Sequence, residues 1–231
     1  MAEPRLTRWR NLWRRFGAAS VLLGGTGTAI ISAYQGMSRF YHATQHLDDV
    51  LSKLDWAKGA LEASAETAAL KAEEKQRLFD TIELALWYHD VVYDPKAKDN
   101  EAKSRDLFLV HAREYGLPED VRKDVAALID LTAHHGNANT LAERILVDCD
   151  LAILGAPAEE FEQYDQNIRK EYAHVPGPAY KRARRGVLKS FLDQPRIFKT
   201  EAFLQTYEET ARRNLEKASK PAFSWKWGSF R

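Results

Sequence analysis

Apolar side chains recur three and four residues apart along almost all of this 231-residue chain, and no alternating apolar–polar run lasts long enough for a strand. That pattern restricts the fold to an all-α arrangement. The predicted helices cover the basic N-terminal segment, residues 29–34, a stretch opening near Thr44 or Gln45 and carrying Leu47, Val50, Leu51 and Leu54, and residues 73–92. Pro95 ends the last of these and pushes Asp94 toward extended backbone. Further helices are expected from Asp99 or Asn100 to Tyr115, from Pro118 to about Thr132, and over residues 141–154, 159–173, 179–192 and 201–219. The run Gly24-Gly25-Thr26-Gly27-Thr28 reads as a break between the first two. Residues 1–219 are expected to form one helical domain, and residues 220–231, aromatic and basic, a poorly ordered tail.

Two segments have a second reading. The first 16 residues hold Arg5, Arg8, Arg10, Arg14 and Arg15 beside Trp9, Leu12, Trp13 and Phe16. This is either a folded first helix or an amphipathic targeting or membrane-surface helix. The charged run Lys181-Arg182-Ala183-Arg184-Arg185 reads as a solvated helix face. With 45% apolar and 29% charged residues, the composition is that of a soluble globular protein. A net charge of +1 argues against bulk attraction to nucleic acid. No stretch reaches the ~20 apolar residues of a membrane helix. The single cysteine, Cys149, rules out an internal disulfide framework and reads as a buried core side chain rather than a reactive thiol. A cytoplasmic location is expected, with organelle targeting through the basic N-terminus as the alternative.

The chemistry concentrates at Leu86-Trp87-Tyr88-His89-Asp90-Val91-Val92-Tyr93-Asp94-Pro95, where a His-Asp doublet closes a buried helical run. Neighbouring residues on a helix diverge by about 100°, but two polar groups at a buried C-terminus can meet on one ion. His46 lies upstream, and Asp148 and Asp150 downstream. Imidazoles with carboxylates suit a hard-to-borderline divalent cation. Four ligands drawn from three helices are within the reach of a helical bundle.

These residues, with Tyr41-His42-Ala43-Thr44-Gln45-His46-Leu47, Asp99-Asn100-Glu101, Ser104, Thr132-Ala133-His134-His135, residues 148–155 and Ile168-Arg169-Lys170-Glu171-Tyr172, resemble the HD superfamily of metal-dependent phosphohydrolases. The resemblance spans roughly residues 8 to 217, and it is nearest to a branch of uncharacterised predicted HD phosphohydrolases. It implies a helical HD-domain-like bundle that hydrolyses a phosphate ester or nucleotide, with His46, His89, Asp90 and Asp150 on the metal. Asp150 is preferred to Asp148 because the superfamily pairs its last aspartate with a following Leu, here Leu151. One ion is expected rather than two, and Mn, Mg, Fe, Co and Zn are not distinguished.

Asp94 is then the acid–base candidate, or else a turn-forming residue before proline. His134 and His135 are candidates for phosphate donors or second-metal ligands, or are exposed helix-end histidines. Arg39 is the first choice for a phosphate-binding cation, with Lys96, Lys98 and Arg169 behind it. His42 is expected to line the site entrance or to pack, and His174 to lie on the surface. His111 would be needed, with His134 and His135, for a di-iron oxygenase, the alternative enzymatic reading. A metal- or nucleotide-binding module without turnover is the non-enzymatic one. Residues 89–95 are also similar to a stretch of guanosine tetraphosphate hydrolases in the same superfamily. Those carry Glu-Asp where this chain has Tyr93-Asp94, so the alarmone substrate is not carried over. The expected partner is a small phosphorylated metabolite or nucleotide, with a homodimer possible.

Overall fold

The computed structural model describes residues 2–18, 22–134 and 138–220. Of the proposed tail at 220–231, residues 221–231 lie outside the described residues, as does His135. Among these there are ten α-helices and no strand. In chain order they are α1 (Ala2–Arg15), α2 (Leu23–Ala33), α3 (Thr44–Leu61), α4 (Ala72–Tyr88), α5 (Asn100–Glu114), α6 (Glu119–Leu131), α7 (Leu141–Leu151), α8 (Ala158–Glu171), α9 (Gly177–Leu192) and α10 (Glu201–Ser219); a 3₁₀ turn over Ala152–Gly155 follows α7. The fold is all-α, as the periodicity requires.

Helix α4 is the axis of the bundle. Its residues 79–88 are buried without exception, and it packs against α1, α3, α5, α6 and α7. A helix buried on every side must be apolar nearly all round, yet α4 carries Asp80 and Glu83. Their partners come largely from α1. Arg15 Nε meets Asp80 at 2.8 Å, Arg8 Nε meets Glu83 at 2.7 Å, and Lys58 Nζ of α3 lies 3.4 Å from Glu83. Buried carboxylates persist because they are paired. The arginines of the first helix therefore answer acids inside the bundle. Its apolar face is spent too, since Trp9, Leu12 and Trp13 are fully buried and the Trp9 indole donates to Leu23 O at 2.9 Å. This is a folded first helix whose tryptophans are spent inside the bundle.

The expected break at residues 24–28 is a correction: α2 runs straight through it. A Cβ at Gly27 would lie 2.5 Å from Trp9 Cδ1 and 2.8 Å from Leu6 Cδ1. The glycine lets α2 approach the α1 tryptophan, and contact with α1 offsets its poor helix propensity. The other expected helix starts agree with the structure to about two residues, and Gly116, at φ 70°, ends α5 as anticipated, but α4 stops at Tyr88, short of the expected residue 92, and α7 gives way to a 3₁₀ turn after Leu151. No described helix is long and apolar enough to cross a membrane.

Helix α10 closes the far side. Asp148 on α7 accepts from the amides of Lys199 (2.7 Å) and Thr200 (2.8 Å) and from the Thr200 hydroxyl (2.7 Å). Asn214 Nδ2 bonds the carbonyls of Leu154 and Ala156, both at 2.9 Å. These bonds tie the end of α7 to α10 and so fix where Asp150 points.

Candidate metal centre

Three helix ends converge at one point. His46 lies in the first turn of α3, His89 caps the C-terminus of α4 with Asp90 next to it, and Asp150 lies in the last turn of α7. His46 Nε2 and His89 Nε2 are 3.0 Å apart. Asp90 Oδ2 is 3.3 Å from His46 Nε2 and 3.1 Å from His89 Nε2. Asp150 Oδ1 is 3.3 Å from His46 Nε2 and 3.5 Å from His89 Nε2. Both imidazoles are buried, and the two carboxylates keep only a narrow exposure.

Two observations test whether this donor set suits a cation. His89 Nδ1 donates to Leu86 O at 2.8 Å, so the neutral ring carries its lone pair on Nε2, toward the other three groups. The His–His and His–Asp separations also fit: donors at about 2.1 Å from a common ion sit about 3.0 Å apart at octahedral edges and about 3.4 Å apart at tetrahedral ones. Among the described residues, His46, His89 and Asp90 form the sole group of three such side chains with mutually close ligand atoms. Asp150 reaches both imidazoles of that group. Without a cation the charges must balance through protons. Burial opposes a charged His46, but hydrogen bonds to Asp150 and Asp90 hold its pKa up. The same balance, led by Asp90, holds His89 well up, and the imidazoles of His89, His42 and His46 hold Asp90 well below the usual carboxylate range despite burial.

The residues that aim this cluster were only partly visible in the sequence. Glu171, at the end of α8, has a side chain with no exposure. Its Oε1 accepts three consecutive amides, Phe40 at 2.8 Å, Tyr41 at 2.7 Å and His42 at 3.0 Å. Its Oε2 accepts from His42 Nδ1 at 2.7 Å and from the Tyr93 hydroxyl at 2.8 Å. Burial alone would raise this carboxyl, but the His42, Tyr41 and Tyr93 donors outweigh it and bring it down to about 2. The segment leading into α3, and with it His46, is thus pinned from α8. His42 stacks on Tyr93 at 4.3 Å and meets the His46 ring edge-on at 5.7 Å. It also borders, with Asp150, a cavity of about 440 Å³ walled by α8 and α9.

Several expected site residues do other work. Arg39 donates to the carbonyls of His42 (2.9 Å), Asp90 (2.6 Å) and Val91 (2.8 Å). Its fork is filled by backbone and ties the loop before α3 to the end of α4, so it is a positioning residue and not the phosphate clamp expected. Asp94 is exposed, and its Oδ1 accepts from Lys96 N at 2.9 Å while its backbone pairs with Asn100. That is the turn alternative. Asp148 is engaged in capping α10, and burial pushes its carboxyl up to about 7 in spite of three donors, which leaves Asp150 as the α7 residue at the cluster. Arg169 donates to the carbonyls of Tyr172 and Val175 at 2.7 and 3.1 Å. His111 bonds the Tyr88 hydroxyl at 2.9 Å, on the side of α4 that faces Trp9. His134 is exposed just beyond α6. Neither histidine joins the described metal group. Cys149 is buried in the core, its thiol pushed up by burial.

The chain matches no family model, and no curated protein or solved structure is significantly similar to it.

Proposed function

We propose that this protein is a metal-dependent phosphohydrolase of the HD type. The observation that carries the reading is that His46, His89 and Asp90 sit 3.0–3.3 Å apart and that Asp150, from a third helix, lies 3.3–3.5 Å from both imidazoles. They follow the order that the superfamily resemblance implies. A divalent ion held there would supply Lewis acidity and a water of lowered pKa. Two imidazoles and two carboxylates leave room on such an ion for water and a phosphate oxygen.

The chain's own groups supply the rest. Glu171 accepts the Nδ1 proton of His42, so the neutral ring has its free lone pair on Nε2. His42 borders both the cavity and the His46 ring, so it takes the acid–base role first given to Asp94. Arg39 and Glu171 orient this histidine from opposite sides and touch no substrate.

The test is elemental analysis of the purified protein together with phosphate release from p-nitrophenyl phosphate in added manganese. About one divalent ion per chain is expected, and both ion and turnover should disappear in H89A and in D90N. Full metal stoichiometry in both variants would overturn the assignment.

A further inference from the structure

The cavity beside the cluster has a chemical character of its own. Helix α9 presents Tyr180, Ala183, Arg184, Val187 and Phe191 to it, a stripe at three- and four-residue spacing. Tyr41, Tyr164 and Tyr172 line the other walls. The volume, about 440 Å³, lies within the range of small-molecule sites.

Two donors on this wall are unused. Arg184 Nη2 and the Tyr180 hydroxyl are both buried without a hydrogen-bond partner among the described residues. Arg184 Nε is held by Asp165 at 2.8 Å. A buried N–H or O–H left unpaired is costly, and an acceptor on a ligand relieves that cost. Their place relative to the cluster follows from ring contacts. Arg184 stands over Tyr164 at 5.0 Å, Tyr164 meets Tyr41 at 4.5 Å, and Tyr41 meets His46 at 4.8 Å. Two aromatic rings separate the guanidinium from the first metal-ligand candidate.

Charge limits what fits. The formally charged lining residues are Arg184, already neutralised by Asp165, and the acids Glu101 and Asp150. Among the described lining residues no unneutralised lysine or arginine is left for a second phosphate. We infer that the cavity takes a phosphate monoester whose organic part is flat and mainly apolar, with one hydrogen-bond acceptor at the end remote from phosphate, met by Arg184 and Tyr180. This rests on the metal-centre reading for the phosphate and names the substrate class of that site. A separate cavity, lined by Arg169, Lys170, Lys181 and Arg185, lies against the other face of Tyr180 and Arg184. Ligands with two phosphates would have to reach there.

The test is calorimetric binding of non-hydrolysable probes to the whole protein, with and without manganese. The probes are methylphosphonate, benzylphosphonate, 4-carbamoylbenzylphosphonate and methylenediphosphonate. Benzylphosphonate should bind at least tenfold tighter than methylphosphonate, as burying one ring predicts. The carbamoyl group should add a further several-fold, lost in Y180F and in R184M. Filling the cavity with A183W should abolish the benzyl advantage at unchanged manganese stoichiometry. Equal affinity for the benzyl and methyl probes, including no binding of either, overturns the inference, as does preference for the diphosphonate. The wild-type ladder decides the matter even where a variant fails to fold. A preserved ladder without turnover of benzyl phosphate would sink the hydrolase reading alone and leave the cavity assignment standing.

Discussion

Replacing Glu171 by glutamine tests the idea that one buried carboxylate aims the site from α8. The folded chain holds this carboxyl at about 2, against an ordinary value of 4.5. At 1.36 kcal/mol per pH unit, that depression stabilises the fold by about 3 kcal/mol at neutral pH. The side chain is wholly buried, so solvent screening takes little from the figure. The sign follows from the lowered folded pKa: the stabilisation is complete above about 4.5 and is lost as pH falls toward 2. Urea unfolding of wild type and E171Q should differ by about 3 kcal/mol at pH 7 and by about 2 kcal/mol at pH 3.5. Comparing the gap removes contributions from acids common to both proteins. A gap that stays constant with pH, or falls below 1 kcal/mol at pH 7, would refute the reasoning. Metal content should survive in E171Q while kcat drops, because the glutamine amide cannot accept the His42 Nδ1 proton when its oxygen stays on the three amides.

Three other outcomes follow from the same contacts. D148N should keep wild-type metal content while removing the fall in stability that the raised Asp148 pKa imposes as pH rises from about 4 to about 7, where the folded carboxyl keeps a proton that the unfolded chain has released; urea unfolding across that range reads the difference. D94N should retain most phosphatase activity, since Asp94 is an exposed turn residue, and a loss above a hundredfold would return it to the catalytic step. G155A should destabilise the fold by about 1–3 kcal/mol, because its Cβ would lie 2.6 Å from Tyr207 Cβ and 2.8 Å from the Tyr207 carbonyl oxygen; thermal unfolding reads this directly.

The helices were legible because a 3.6-residue period is a local property of the chain, and so was the His/Asp cluster, whose members are chemically uncommon in buried runs. What was missed is non-local. The glycines of α2 look like a break until Trp9 is seen against Gly27. Arg39 and Asp94 lie beside the ligands in sequence, and proximity alone cannot tell whether a side chain faces a substrate or its own backbone. Glu171 is separated from His42 by 129 positions, and nothing around it marks it as the acceptor of three amides.

The doublet at 89–90 poses a geometric problem that the structure resolves. On a continuing helix, His89 and Asp90 would diverge by about 100°. Helix α4 stops at Tyr88, His89 keeps helical dihedrals as its cap, and Asp90 lies beyond the helix. Arg39 grips the carbonyls of Asp90 and Val91 and holds the chain in that turn. The carboxylate can then swing back to within 3.1 Å of its neighbour's imidazole. Ending the helix there also places the C-terminal carbonyls of α4 near the cluster, and α7 ends just past Asp150. Helix C-termini carry partial negative charge, so both elements favour a cation for the same reason that they can present these ligands. Asp90 therefore joins the cluster because the helix ends one residue before His89, and, in the metal centre proposed above, a variant that extended α4 by a turn would lose the ion without changing any donor.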